Sequence, residues 1–519
     1  MAGQPVFIMS EDAQRTRGQD AQQSNIAAGK AVSEAVRTTL GPRGMDKMLV
    51  GSTGDVVITN DGATILNEMD IEHPAAQMIV EVAEAQEDEV GDGTTTAAVL
   101  AGELLAQAED LLDDDVHPTT IVEGYHEAAR IAQEAIEEQV LDVELDDEHL
   151  QQVAETSMTG KGTGDVTADV LAKTVVKAVR AVQDDDGIDR ENIRLESQVG
   201  GSSSATDLVE GVIVEEEPAH GAMPREVEDA TVAILNTKLE VRSSNVDAEY
   251  NVTSVDQLNE ALEAEDRELR GYAETLADAG VDVLYATKKI EDRVASYLAD
   301  KGILAFSNGK SKDAKAIARA TGARQVGTIA DLEESDLGRA DRVHVDQFGE
   351  DDFVFFEGGA AAESVTVFVR GGTEHVVDEL ERSLEDAIDV VTATIDSGGL
   401  VPGAGATEIA IAERVRGAAA GISGRKQLAV EAFADAIDIV PRTLARNTGM
   451  DPIDALVDLR AEHDASGRAG LISEGQTGVV GDPVEYGIVD PAAVKREAVE
   501  SATEASTMIV RIDDIIAAN

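Results

Sequence analysis

The chain has 519 residues, with 103 Asp and Glu against 42 Lys and Arg, neither cysteine nor tryptophan, and a net charge of −61. At ~100–200 residues per domain the length predicts roughly three or four domains, and 43% apolar residues suffice for packed cores. The acidity excludes a nucleic-acid binder, which needs a basic face; the absent cysteines exclude disulfides and thiolate chemistry; and no apolar run reaches the ~18 residues of a membrane span.

Aromatics are 3% of the chain, so its cores must rest on Ala, Val, Ile and Leu. The acids are spread along the chain rather than gathered in a tail. In dilute buffer such a charge repels itself strongly. In molar salt the Debye length falls to about 3 Å and the repulsion is screened. This surface suits a salt-saturated cytoplasm. The first residues, MAGQPVFIMSEDAQR, reach Ser10-Glu11-Asp12 before the first positive charge, Arg15. That is the wrong order for a secretory signal, and a cytoplasmic location is expected.

Residues 20–140 carry apolar spacings of three and four, which predict long helices. Glycine-rich breaks interrupt them at Gly41-Pro42-Arg43-Gly44, Asn60-Asp61-Gly62 and Gly91-Asp92-Gly93. Between the first two, Asp55-Val56-Val57-Ile58-Thr59 reads as a short strand. The middle has a different texture. Residues 208–214, 231–235, 281–285 and 302–306 read as strands and 289–301 as a helix, which argues for an α/β domain over roughly 214–364.

Within that domain Ser254-Val255-Asp256-Gln257 fits a capping box. Behind it Val255, Leu258, Leu262, Leu269, Tyr272 and Leu276 form an apolar face, interrupted near Glu265. Such a helix either packs on its own domain or projects to offer apolar surface to partners. Val365, Val367 and Val369 then alternate as in a half-buried strand. A helical stripe follows at Val377, Leu380, Leu384, Ile388, Val391 and Ile395, and a second glycine loop at 398–405. The remainder is alanine-rich and helical, like residues 20–140. Helical ends around an α/β centre suggest that the two ends pack together with the middle inserted.

Gly91-Asp92-Gly93-Thr94-Thr95-Thr96 before an apolar helix is the strongest local signal. Glycines permit close backbone approach, and a helix start presents unpaired N–H groups to an anion. Threonine hydroxyls add donors, and Asp92 is placed to hold magnesium against phosphate oxygens. A plain capped helix after a turn explains the same residues. Asn60-Asp61-Gly62 equally fits an Asp-Gly turn. Asp386 lies about 200° round its helix from Leu384, on the polar face, and nothing in spacing singles it out. No GxxxxGK[ST] loop, HExxH or other zinc spacing occurs.

Several of these segments together resemble the group II chaperonins, the archaeal thermosome and the cytosolic eukaryotic chaperonin. The resemblance rests on Thr39-Leu40-Gly41-Pro42-Arg43-Gly44-Met45-Asp46-Lys47-Met48, Thr59-Asn60-Asp61-Gly62-Ala63-Thr64-Ile65-Leu66 and His73-Pro74-Ala75-Ala76. It continues through Glu89-Val90-Gly91-Asp92-Gly93-Thr94-Thr95-Thr96, Thr159-Gly160-Lys161-Gly162, Leu400-Val401-Pro402-Gly403 and Gly487-Ile488-Val489-Asp490-Pro491. These motifs run in order along nearly the whole chain. With the acidity, they point to a member from a halophilic archaeon.

The resemblance implies a multidomain α and α/β protein. A helical equatorial ATP-binding domain would comprise 1–145 and 403–519, an intermediate hinge domain 146–213 and 365–402, and an apical substrate-binding domain 214–364, with a helical protrusion near 242–276. It implies that Leu40, Gly41, Pro42, Gly93, Thr94, Thr95 and Thr96 contact phosphates. Asp92 would ligate Mg²⁺, and Asp61 and Asp386 would position or deprotonate the attacking water. Asp386 would reach the site when the intermediate domain swings down. Lys161 would sense the γ-phosphate and Asp490 would hold the ribose.

It further implies ATP and Mg²⁺, with K⁺, as ligands, unfolded proteins as clients, and a homo- or hetero-oligomeric double ring of roughly eight or nine subunits per ring. The lid would be built in. One departure stands out: the family's Pro-Gly-Gly-Gly is here Pro402-Gly403-Ala404-Gly405, which puts a Cβ into the loop against the nucleotide. Should position 404 need φ > 0, alanine there is strained by roughly 1 kcal/mol or more. Two rival readings are a structural ring subunit with weak or no ATPase, favoured by Ala404, and an acidic phosphotransferase, supported by the anion-binding loop alone.

Overall fold

The structure is a computed structural model, described here for residues 15–516 apart from 53, 163, 185–186, 242–254, 360–363 and 476. The chain divides into two compact units, one formed by Met1–Val176 with Asp378–Asn519 and the other by Lys177–Val377. The chain ends thus build one unit and the middle another.

The first unit is helical. Helices Gln19–Val36, Pro74–Val90, Thr94–Asp113 and Pro118–Gln139 pack with Ala406–Ala419, Lys426–Ile437, Ile439–Asn447, Pro452–Ser466 and Ala492–Val510. Their shared core is almost wholly Ala, Val, Leu and Ile, as the aromatic-poor composition requires. Among the described residues its one aromatic pair, Tyr125 and Phe433, meets edge to face at 5.7 Å, and the Tyr125 hydroxyl donates to the Leu104 carbonyl at 2.8 Å. Small residues let the helices approach closely. Short strands punctuate the bundle: Val56–Thr59, where a strand was expected, pairs antiparallel with Lys47–Val50, and Leu400–Pro402 pairs antiparallel with Val489–Pro491. Near the chain ends Arg15–Arg17 pairs with Asp514–Ile516.

The second unit is built on a nine-stranded mixed sheet. Along its main path the order is Leu304–Phe306, Val283–Ala286, Glu226–Leu235, Gly338–Phe348, Asp351–Glu357, Asp207–Glu215, Val365–Gly371 and Ile193–Val199, with Gln325–Val326 added beside Glu226–Leu235. All the strands and the helix expected over 208–306 are present. Strand Asp207–Glu215 changes partner midway, pairing with Val365–Gly371 up to Glu210 and with Asp351–Glu357 from Gly211. Gly211, at φ 137°, makes that change where Phe356 leaves no room for a side chain. Strand Val365–Gly371 is not half-buried: Thr366 and Phe368 are buried between the valines. Thr366 donates to the Gly211 carbonyl at 2.9 Å, and Phe368 sits in a cluster with Phe348, Phe353 and Phe355.

A helix, Val255–Asp278, runs where the stripe was expected, although Ser254 of the expected capping box lies outside the described residues, as do the side chains of Val255 and Leu258. Leu269, Tyr272 and Leu276 are buried in the α/β core, while Leu262 is 51% exposed. The break in the stripe has a partner: Arg293 bonds to Glu265 at 2.6 Å and to Asp266 at 2.9 Å. Among the described residues no helix is long and apolar enough to cross a membrane.

Candidate active site

The glycine breaks of the first unit converge on one cavity of about 330 Å³. Helix Pro74–Val90 ends at Gly91 (φ 68°), and helix Thr94–Asp113 starts after Gly93 (φ 83°) with no side chain capping it. Both residues are left-handed, and a Cβ on Gly93 would fall 2.8 Å from Val494 Cγ1, so glycine is required there. The uncapped first turn, Thr94-Thr95-Thr96, lines the cavity with Asp92.

Asp61 does not sit in a plain Asp-Gly turn. It caps helix Gly62–Glu68, accepting from Thr64 N at 2.6 Å, while its other oxygen accepts from the Thr94 hydroxyl at 3.1 Å. Gly62 packs against Thr95, which locks the two helix starts together. Leu40-Gly41-Pro42 forms another wall, held by Asn447 Nδ2 donating to the Leu40 carbonyl at 2.9 Å. Asn60 Nδ2 donates to the Gly160 carbonyl at 2.7 Å and so brings the Gly160-Lys161 turn to the same rim.

Of the residues named from sequence, Leu40, Gly41, Pro42, Asp61, Asp92, Gly93, Thr94, Thr95, Thr96, Lys161, Ala404 and Asp490 all line the cavity. Gly403 lies just behind it, where a Cβ would stand 3.3 Å from the Asp490 carboxyl carbon. Asp386 also stands behind the lining. It is buried on the face of helix Glu374–Ser397 away from the apolar stripe, and its Oδ2 is ion-paired with Lys161 Nζ. That helix is thus buried on two faces, one against apolar neighbours and one against this polar site.

The charges are strongly coupled. Burial pushes the Asp386 carboxyl up to about 7, with Lys161 opposing and Asp61 and Asp92 adding to the rise. Burial also raises the Asp92 carboxyl, against the pull of Lys161 and with Asp490 adding. Lys161, which burial alone would discharge, is held firmly charged by Asp386, Asp92 and Asp61. Sequence reasoning passed over Glu87, one turn before the glycine break. Burial together with Asp386 and Asp61 pushes it up to about 9, so it is a neutral acid at pH 7.

The apolar wall was also missed: Val440, Leu444, Leu471, Ile488, Val494 and Ala498 face the cavity from four separate segments. So was Lys495, whose position in a chain poor in cations was the only available signal.

A cavity with a naked helix start, a cluster of carboxylates and an apolar wall fits a nucleotide with its phosphates and base. The profile of the TCP-1/cpn60 chaperonin family matches residues 32–519. The chain belongs to that family. It is 70% identical over 517 residues to thermosome subunit 3 of Haloferax volcanii, covering 99% of both chains. It is 55% identical to thermosome subunit 1 of the same organism (99% of this chain, 92% of that one) and 52% identical to thermosome subunit alpha of Halobacterium salinarum (100% and 92%). Members of this chaperonin family hydrolyse ATP, and the chain is a group II, thermosome-type subunit for ATP-dependent protein folding.

Proposed function

We propose that the cavity binds Mg²⁺-ATP and that its hydrolysis drives closure of a double ring around unfolded proteins. The observation that carries this reading is the meeting of Asp61, Asp92, Lys161 and the Thr94 helix start in one cavity, with Asp386 ion-paired to that lysine. Phosphoryl transfer to water requires positioning and charge neutralisation more than covalent chemistry, and these groups supply both. Thr94, Thr95, Thr96 and the Leu40-Gly41-Pro42 turn hold the phosphates, and Lys161 neutralises the γ end. The apolar wall takes the base and Asp490 the ribose. Asp61, oriented by Thr64 N and the Thr94 hydroxyl, positions the attacking water.

Asp386, with its carboxyl near neutrality, is matched to accept that water's proton. Among the described residues no three acidic or histidine side chains cluster as a metal cage. Asp92 alone, a desolvated carboxylate with other acids beside it, fits Mg²⁺ held by one protein ligand and the substrate's phosphates. When bound there, Mg²⁺ would neutralise charge on the phosphate oxygens. K⁺ is the expected accompanying ion in a salt-rich cytoplasm, where we place the protein.

The three-domain division is part of the proposal: an equatorial domain (1–145, 403–519), an intermediate domain (146–213, 365–402) that carries Lys161 and Asp386, and an apical domain (214–364). Helix Val255–Asp278, anchored by Leu269, Tyr272 and Leu276 and leaving Leu262 exposed, suits the built-in lid. Haloferax volcanii has thermosome subunits numbered 1, 2 and 3, all resembling this chain, which supports a ring of mixed subunits. Eight or nine per ring is the count we propose from the family resemblance, in a ring closed by cyclic symmetry.

A second reading, a structural subunit without turnover, rests on Ala404, whose φ of 55° strains the loop against the cavity. The two readings separate in steady-state ATP hydrolysis in molar KCl with magnesium, for the parent and Asp386→Ala. Parent turnover that falls on the order of 10²–10⁴ in the variant supports an active site with Asp386 as base. Assembled rings with no turnover in either favour the structural subunit, and equal turnover removes Asp386 from the chemistry.

A further inference from the structure

The cavity has a second buried lysine, and the phosphate chemistry does not use it. Lys495, in the first turn of helix Ala492–Val510, places Nζ 2.7 Å from Asp490 Oδ2 and 2.8 Å from Glu408 Oε1. All three side chains are largely buried, and the second oxygen of Glu408 has no hydrogen-bond partner among the described residues. Burial would discharge the lysine, but the two carboxylates hold it firmly charged.

Three different segments build this triad. Glu408 comes from the first turn of helix Ala406–Ala419, directly after the Gly403-Ala404-Gly405 loop. Asp490 comes from strand Val489–Pro491, held in register opposite Val401. Lys495 and Asp490 line the cavity, whereas Glu408 does not. A lone aspartate here would stand among like charges, with Asp92 close enough to feel it. With one oxygen committed to a lysine that is itself tethered, the carboxylate keeps one orientation and one acceptor for a ligand. Gly403 packs its bare Cα against the same carboxyl group and excludes a side chain from that side. The same helix turn is joined to the phosphate loop: Gln86 Nε2 donates to the Asp92 carbonyl at 2.7 Å and to the Val494 carbonyl at 3.2 Å.

We propose that Lys495, anchored by Glu408, is a positioning residue that fixes Asp490 so that its remaining oxygen accepts a ribose hydroxyl of the nucleotide. This rests on the reading of the cavity as a nucleotide site with Asp490 on the ribose side. The lysine acts through Asp490, and its loss weakens recognition of the sugar rather than turnover of bound ATP.

The test is titration calorimetry of assembled rings in molar KCl with ADP, 2′-deoxy-ADP and 3′-deoxy-ADP, using the parent, Lys495→Met, Lys495→Arg, Asp490→Asn and the Met/Asn double variant. The parent is expected to favour ADP over one of the deoxy analogues by about tenfold or more, the range of a hydrogen bond to a charged acceptor. Lys495→Met should bring ADP to within about twofold of that analogue, Lys495→Arg should restore most of the preference, and adding Lys495→Met to Asp490→Asn should change little. A merely structural lysine moves ring assembly or melting but leaves the ADP-to-deoxy-ADP ratio in place.

If Lys495→Met keeps the parent ratio while Asp490→Asn loses it, the proposal falls and the ribose reading stands. If Asp490→Asn also keeps the ratio, the ribose reading itself fails and takes the proposal with it. Should Lys495→Met not assemble, Glu408→Gln unties the lysine and is expected to lose about threefold of the ratio; a parent-like ratio there overturns the proposal.

Discussion

Ala404→Gly is expected to stabilise the first unit. Ala404 is held at φ 55° between Gly403 and Gly405 by bonds internal to the protein. Its carbonyl accepts from Leu471 N at 2.9 Å, Gly403 N donates to the Ile488 carbonyl at 3.1 Å, and Ala406 N donates to the Gly403 carbonyl at 3.0 Å. The loop therefore cannot relax to negative φ without losing backbone bonds. A left-handed alanine is strained by about 1–2 kcal/mol through the clash of its Cβ with the following carbonyl. Glycine removes that strain but gives the unfolded chain more freedom, which offsets about 0.4–1 kcal/mol.

The net gain is on the order of 0.5–1 kcal/mol, or about 1 °C in Tm for a unit of this size. Ala404→Val should move the other way by about 2 kcal/mol or more, since a β-branched residue resists positive φ and the Ala404 Cβ already faces the Gly470 backbone. Scanning calorimetry in molar KCl on all three proteins checks the order Gly above Ala above Val. A glycine variant that melts at or below the parent would refute the reasoning and show that the loop carries no strain.

Lys161→Met leaves Asp386 buried beside Asp61 and Asp92 without its counter-charge, so the Asp386 carboxyl rises above about 7. Each unit of rise removes about tenfold of the base form at neutral pH. ATP turnover should fall at least tenfold at pH 7 and partly recover toward pH 9, and a pH profile with the parent's shape would refute the assignment. In the nucleotide-free protein, Glu87 and Asp386 keep protons up to about 9 and about 7 that the unfolded chain releases near the usual carboxylate range. The folded form therefore binds more protons across that window, and stability falls as pH rises through it. A urea midpoint that rises or stays flat between about pH 5 and pH 9 would contradict this. In the second unit, Leu269→Ala opens a cavity under helix Val255–Asp278 and should destabilise by about 2–4 kcal/mol, whereas Leu262→Ala at an exposed site should stay within about 0.5 kcal/mol. Equal effects of the two in denaturant melts would mean that the helix does not pack as described.

By itself, the sequence determined what depends on near neighbours. The strand Val56–Thr59, the stripe of helix Glu374–Ser397 and the left-handed glycines at 91 and 93 follow from rules acting over a few residues. The alanine-based core followed from composition alone, since little else was present to fill it. The glycine-rich motifs that line the cavity were readable for the same reason: each is a short run whose backbone geometry its own residues impose.

Only the tertiary structure decided which distant groups meet. Asp386 sits on a polar helix face that ordinarily means solvent, and it is buried because that face is turned toward Lys161, 225 positions earlier in the chain. Glu408, Asp490 and Lys495 carry no periodicity that pairs them, and the apolar wall is gathered from separate segments. Asn60-Asp61-Gly62 reads locally as a turn and becomes a helix cap tied to Thr94. Hydrogen-bond preference and φ/ψ limits act along the backbone and leave a local imprint. Ion pairing, desolvation and the shifts of acidity they cause act through space, and in a chain with 103 acids no local pattern marks which of them will be buried together.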